Sequence, residues 1–138
     1  IKERVAELAQ MPLENQERIQ VTHYSVTQRY EPHFDSLRAF GVDPGPAGDR
    51  SATVIIYLND DYSGGCTSFP RLRRRIRPEK GKAVLFRNLE QGSDRWDRLS
   101  YHAGEAVTEG EKWLCNQWIR QHPNRPKAKR AARRKRRK

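Results

Sequence analysis

Three side chains in this sequence could share one metal ion. His33-Phe34-Asp35 places an imidazole and a carboxylate two residues apart. In an extended strand, residues i and i+2 project from the same face with Cα atoms roughly 6.5 Å apart, so both groups can converge on one ion. A second imidazole would complete the facial arrangement of two histidines and one carboxylate, which leaves coordination positions open to other ligands. His102 is the candidate, being the other histidine in a strand-like, non-terminal stretch downstream of the apolar strands. His-x-Asp by itself is a weak signal, and a lone match is more often a hydrogen-bonded pair. Lys112, ten residues after His102, is the second feature. A lysine on the inward face of a strand is costly to bury unless it meets an anion. Pattern alone favours the other reading, an exposed lysine at a strand start.

The elements that must position these groups are legible as short segments. Ile1 to Gln10 carries Ile1, Val5 and Leu8 at helical spacing, and Pro12 closes it. Arg18 to Val26 alternates, with Ile19, Val21 and His23 on one face and Gln20, Thr22 and Tyr24 on the other. A second extended stretch covers Arg29 to Asp35. Ser36 to Arg50 is a Gly/Pro-rich loop of a length usually reserved for functional or disordered segments. Arg50 to Asn59 is a β-branched strand of buried type, and Asp60 to Gly65 is a turn. Further extended pieces are Cys66 to Pro70, a basic Arg71 to Pro78, and Gly81 to Arg87; Asn88 to Leu99 is polar loop. Ser100 to Val107 and Glu111 to Gln121 read as two strands joined at Glu109-Gly110. In the last, Lys112, Leu114, Asn116 and Trp118 share one face, and Trp113, Cys115, Gln117 and Ile119 the other. Strands at short intervals behind one helix predict an antiparallel sandwich or jelly roll.

Composition limits the alternatives. The 138 residues fit one domain, with 33% charged and 35% hydrophobic residues, the latter clustered in the strands. The net charge of +11 is concentrated in a tail: Arg125 to Lys138 holds ten of the 28 basic residues and no acid, leaving 18 basic against 17 acidic residues before it. Such a run repels itself; it suits a nucleic acid, an import receptor or an anionic surface, or simply a solvated tail. Cys66 and Cys115 stand far apart without metal-ligand spacing and read as buried free thiols. No stretch is long and apolar enough to span a membrane. The chain does not begin with Met, and the tail is compatible with nucleus or cytoplasm, so the compartment stays open.

Five ordered stretches carry a more specific signal. They are Tyr24 to Asp35, Arg50 to Asp60, Gly64-Gly-Cys-Thr-Ser-Phe-Pro70, Pro78-Glu-Lys-Gly-Lys-Ala-Val-Leu-Phe86, and His102 to Trp118. In order and spacing they resemble the prolyl 4-hydroxylase family of 2-oxoglutarate- and iron(II)-dependent dioxygenases. The resemblance implies a mainly β chain, a double-stranded β-helix (jelly roll) with an N-terminal helix that lacks some N-terminal elements of the family domain. It places the catalytic domain at residues 1–122 and the basic tail at 123–138. It implies that His33, Asp35 and His102 bind iron(II), and that Lys112, helped by Tyr24, pairs with the distal carboxylate of 2-oxoglutarate. Thr67 and Trp118 match positions lining the co-substrate pocket. The implied reaction consumes O₂ and 2-oxoglutarate, gives succinate and CO₂, uses ascorbate as reductant, and hydroxylates a substrate such as a proline-containing peptide. Some members of the family act in the secretory pathway.

The chain departs from the family at Cys66, where an acidic residue commonly precedes the threonine, and at Ala106, where a proline is common. The Ser36 to Arg50 loop corresponds to a substrate lid in the family. Arg71 to Arg77 could attract an acidic peptide or be a solvated strand face. Trp96 could stack on a proline ring or anchor its loop. The alternative in a different class is a non-catalytic, incomplete oxygenase fold whose basic tail binds nucleic acid or an anionic partner.

Overall fold

A computed structural model describes residues 1–124; the basic run from Arg125 onward lies outside the described residues. Two four-stranded antiparallel sheets face each other. One has the order β1 (Gln20–Tyr24), β10 (Lys112–Arg120), β3 (Arg50–Tyr57), β7 (Ala83–Arg87). The other has the order β2 (Tyr30–His33), β8 (His102–Gly104), β5 (Thr67–Phe69), β6 (Arg74–Ile76). A ribbon of β4 (Ser63–Gly64) and β9 (Val107–Glu109) closes one end. This is the jelly roll that the strand spacing predicts. Tyr24, Ile55, Tyr57, Val107 and Leu114 form a core cluster in it, joined by Ile76, Val84 and Phe86.

The one α-helix among the described residues, α1 (Lys2–Ala9), is built from good helix formers and stops at Gln10, which turns left-handed at φ 52°. It packs on the outer face of the larger sheet, where Val5 and Ala9 meet Ala52, Val54 and Ile119. The buried stripe is therefore rotated from the expected Ile1, Val5 and Leu8: Ile1 and Leu8 remain exposed. The small Ala9 side chain allows close approach to the sheet where a leucine would hold the helix away.

Two segments differ from the sequence reading. Ser100 to Val107 is not one strand: β8 and β9 belong to different sheets, and Glu105 leaves the ladder to bond Cys66 O. Nor is Asp60 to Gly65 only a turn, since Ser63 and Gly64 pair with β9. Gly64, at φ +76°, lies so close to Ala106 that an added Cβ would stand 2.4 Å from its carbonyl oxygen. The chain crosses between sheets here because glycine permits that approach. At the other end, the Asn124 amide donates to Glu14 O.

The long loop is anchored from within. Asp49 is fully buried and accepts hydrogen bonds from Ser36 Oγ and from the Leu37, Arg38 and Arg50 amides. The Arg120 guanidinium caps the Pro44 and Gly48 carbonyls. Two single 3₁₀ turns fill the intervening chain. Cys66 and Cys115 are buried free thiols, as expected.

Candidate metal and anion site

His33 and His102 stand directly opposite each other on the antiparallel pair β2 and β8. Their rings lie 4.3 Å apart. Asp35 follows β2, and its Oδ1 lies 3.3 Å from His33 Nε2 while its Oδ2 lies 3.8 Å from His102 Nε2. One ligand atom from each of the three residues falls within 4.8 Å of the other two. The sequence-predicted trio is thus brought together, although Asp35 sits just beyond the strand expected to carry it.

The hydrogen bonds behind the trio decide which atoms face inward. His33 Nδ1 is 2.8 Å from Glu31 O, and His102 Nδ1 is 2.8 Å from Ser100 O. A carbonyl oxygen only accepts, so each Nδ1 carries the proton and each Nε2 is turned toward Asp35. Burial lowers the His102 pKa, the Asp35 charge partly offsetting it, which keeps the imidazole neutral. Burial would raise the Asp35 carboxyl, but the nearness of His33 and His102 and a hydrogen bond from Thr53 bring it down to about 2. Two imidazole Nε2 atoms and one carboxylate, converging and oriented from behind, form a donor set that fits a divalent cation.

Two further residues missed in the sequence reading hold the carboxylate. Thr53 Oγ1 donates to Asp35 Oδ2 at 2.6 Å, and Asn88 Nδ2 donates to Thr53 Oγ1 at 2.8 Å. Both are buried. The Asp35 carboxylate only accepts, so the Thr53 hydroxyl hydrogen is committed to it while a Thr53 lone pair takes the Asn88 amide. The only sequence signal was alternation in β3, which puts Thr53, Ile55 and Tyr57 on one face.

The same cavity, about 200 Å³, is lined at one part by His33, Asp35 and His102 and at another by Lys112 and Tyr24. Lys112 is 1% exposed, so the surface-lysine reading is overturned. Its Nζ donates to Gly65 O at 2.7 Å and lies 5.1 Å from the Tyr24 ring centroid and 5.9 Å from that of Tyr57. No carboxylate of the described residues lies within ion-pair distance of it. Burial, only partly offset by neighbouring charge, lowers its pKa to about 8. An ammonium has three donors, and here one is used. A cation so placed is stabilised by an incoming anion, at a site where the fold itself supplies none.

The remaining predicted residues line or flank this cavity. Burial raises the Tyr24 phenol above its usual range, so it is a neutral hydroxyl at neutral pH. Thr67 lines the cavity but its hydroxyl is 2.5 Å from the Tyr57 hydroxyl, a partner the sequence did not suggest. Trp118 lines the far side, with the Arg50 guanidinium stacked 3.9 Å over its ring and Arg50 fixed in turn by Glu17. Trp96 is not part of the cavity lining; it pairs with Leu89 and anchors its loop.

The chain is similar in sequence and fold to known proteins. The family model of the 2OG-Fe(II) oxygenase superfamily matches residues 19–120. Prolyl 4-hydroxylase 1 of Arabidopsis thaliana is 40% identical over 136 residues, covering 88% of this chain and 47% of that protein. The human prolyl 4-hydroxylase subunit alpha-1 is 36% identical over 122 residues, covering 86% and 23%. Among solved structures, the 2OG complex of the viral collagen prolyl hydroxylase from Paramecium Bursaria Chlorella virus-1 superposes with a TM-score of 0.68 at 36% identity, over 77% of this chain and 59% of that one. The chain spans about half the length of the first curated relatives it matches.

Proposed function

This chain belongs to the 2OG-Fe(II) oxygenase superfamily, and from that premise we propose that it is a dioxygenase that hydroxylates prolyl residues of a peptide at C4. His33, Asp35 and His102 would hold iron(II). Lys112 would receive the distal carboxylate of 2-oxoglutarate, with the Tyr24 hydroxyl as a second donor. Iron(II), when bound, supplies the redox chemistry by which O₂ and 2-oxoglutarate yield succinate, CO₂ and the hydroxylated product, with ascorbate as the reductant that restores it.

The chain's own residues have three tasks in that reaction. The Nδ1–H groups of both histidines donate to backbone carbonyls, so the ligands keep one tautomer throughout. Thr53, oriented by Asn88, occupies Asp35 Oδ2 from behind and prevents the carboxylate from rotating away. Ile55 and Leu114 line the cavity wall and keep water from the co-substrate. Phe40, 61% exposed on the long loop, also lines the cavity. It is suited to fold over a bound peptide, the lid role of that loop. Shortening the loop between Arg38 and Gly45 is expected to raise the peptide KM and spare 2-oxoglutarate binding.

The observation that carries the reading is Lys112: a buried ammonium with no carboxylate partner, in the cavity that holds the trio. A non-catalytic module would gain stability by replacing it. The test is succinate formation from 2-oxoglutarate with iron(II), ascorbate and proline-rich peptides, with the product read by mass spectrometry. A gain of one oxygen on proline is expected. Absence of both turnover and iron binding would overturn the assignment, and oxygen on another residue would change the substrate.

A further inference from the structure

The strand at one sheet edge has a composition that the metal site does not explain. Residues 70–78 hold five arginines and no acid. Arg75 is neutralised by Glu105 at 2.6 Å. Arg71, Arg73, Arg74 and Arg77, with Arg98 from the adjoining turn, are exposed and have no carboxylate partner among the described residues. Among the other described residues, five of the eight arginines are compensated: Arg29 by Glu31, Arg38 by Asp94, Arg95 by Glu90, and Arg50 and Arg120 by Glu17.

The strip is continuous with the cavity. The Arg71 guanidinium stands 4.7 Å from the Tyr101 ring centroid and 5.2 Å from that of Phe34. Tyr101 precedes His102, and Phe34 lies between His33 and Asp35 and lines the cavity. Arg74 is paired across the ladder with Phe69, so both project from one face, and the Phe69 ring lies 5.7 Å from that of His102. β6 is the last strand in its sheet, bonded to β5 on one side only.

We infer that the open edge of β6 receives an acidic segment of the protein substrate, laid alongside it as an additional strand. The inference takes the proposed peptide hydroxylation as its premise and adds a substrate class. An edge so densely arginine-covered repels neutral or basic strands, because their addition would leave the guanidinium groups uncompensated. An Asp- or Glu-rich segment pairs with the free backbone groups and gives each guanidinium a bidentate partner. A nucleic acid would use the charges and leave the backbone edge unpaired. A strand added outside β6 lies three strand spacings from β8, roughly 14 Å, so the acidic block sits about four or more residues from the oxidised proline.

The test uses the full chain, its basic run included, with three fluorescent proline-containing peptides that differ only in a flanking block of four Glu, four Gln or four Lys. Binding is read by anisotropy, so the result is independent of turnover; KM is read alongside. The Glu peptide is expected to bind about tenfold more tightly than the Gln peptide, the gap closing in high salt. Arg73→Glu, Arg74→Glu and Arg77→Glu together should abolish that gap while leaving 2-oxoglutarate affinity unchanged. Equal binding of the Glu and Gln peptides would overturn the inference. So would a preference that survives the triple reversal, or single-stranded RNA binding that is lost in the triple variant when the Glu preference is not. Selective Glu-peptide binding without proline oxidation would support the strip and overturn the hydroxylase reading instead.

Discussion

The two ends of one cavity are built on opposite principles. At the trio, polar groups are held from behind: each imidazole Nδ1 by a backbone carbonyl, and Asp35 Oδ2 by Thr53 and Asn88. At Lys112, a buried cation has a single carbonyl and two aromatic faces. The first end is rigid before anything binds. The second is incomplete until an anion arrives, and its lowered pKa measures what that incompleteness costs, on the order of 3 kcal/mol at 1.36 kcal/mol per pH unit. An ion needs its donors pre-aligned, whereas an anion that must come and go needs a charge partner the protein does not itself satisfy.

The sharpest way to break the contrast is at the rigid end. His102→Ala should abolish turnover and lower iron(II) affinity at least about 100-fold, read by metal titration, because a facial site cannot lose one of three ligands and keep its ion. Lys112→Met should lower 2-oxoglutarate affinity about 100-fold while iron is retained, as expected for loss of one partner in a buried charge pair. The same variant should melt at a higher temperature without ligand, since it removes a desolvated charge. Unchanged affinity would refute the assigned role, and a lower melting temperature would show that the Gly65 bond outweighs desolvation.

Smaller changes sharpen the contrast. Thr53→Val preserves shape and removes the hydroxyl behind Asp35; iron affinity should fall about 10- to 100-fold, with 2-oxoglutarate affinity of the iron-saturated protein nearly unchanged. If Asn88 acts only through Thr53, Asn88→Ala made in the Thr53→Val background should add no further loss of iron affinity. The smallest effect is of pH. Only the ammonium form of Lys112 attracts the anion, and its pKa in the free protein is about 8. 2-Oxoglutarate affinity should therefore be flat below that value and fall about tenfold per unit above it. Because the folded-state pKa lies below the ordinary lysine value, ligand-free stability should rise between about pH 8 and 10.5. Lys112→Met should flatten both profiles.

The strands were legible because alternation and β-branched runs report burial directly, and Arg50 to Asn59 is the clearest case. The trio was legible as residue types, and the ordered stretches around it made their convergence an expectation. Lys112 was not legible from pattern, since nothing local distinguishes a buried lysine from one at a strand start; only the family resemblance pointed inward. Thr53 and Asn88 were invisible for a different reason. Their contacts cross 18 and 35 residues of sequence, and a threonine in a β-branched strand satisfies propensity whether or not it bonds a carboxylate. The division of Ser100 to Val107 between two sheets depends on Gly64 approaching Ala106, a close contact between segments that no window along the chain contains.

The direct measurement is an anaerobic calorimetric titration of iron(II)-loaded wild-type and Lys112→Met chains with 2-oxoglutarate and with 2-oxopentanoate, which keeps the chain length and the chelating end but lacks the distal carboxylate. The wild-type chain should prefer 2-oxoglutarate about 100-fold, and the variant should bind both alike at the wild-type affinity for 2-oxopentanoate. A variant that keeps the preference would contradict the account, because the distal carboxylate would then be held by a group other than Lys112.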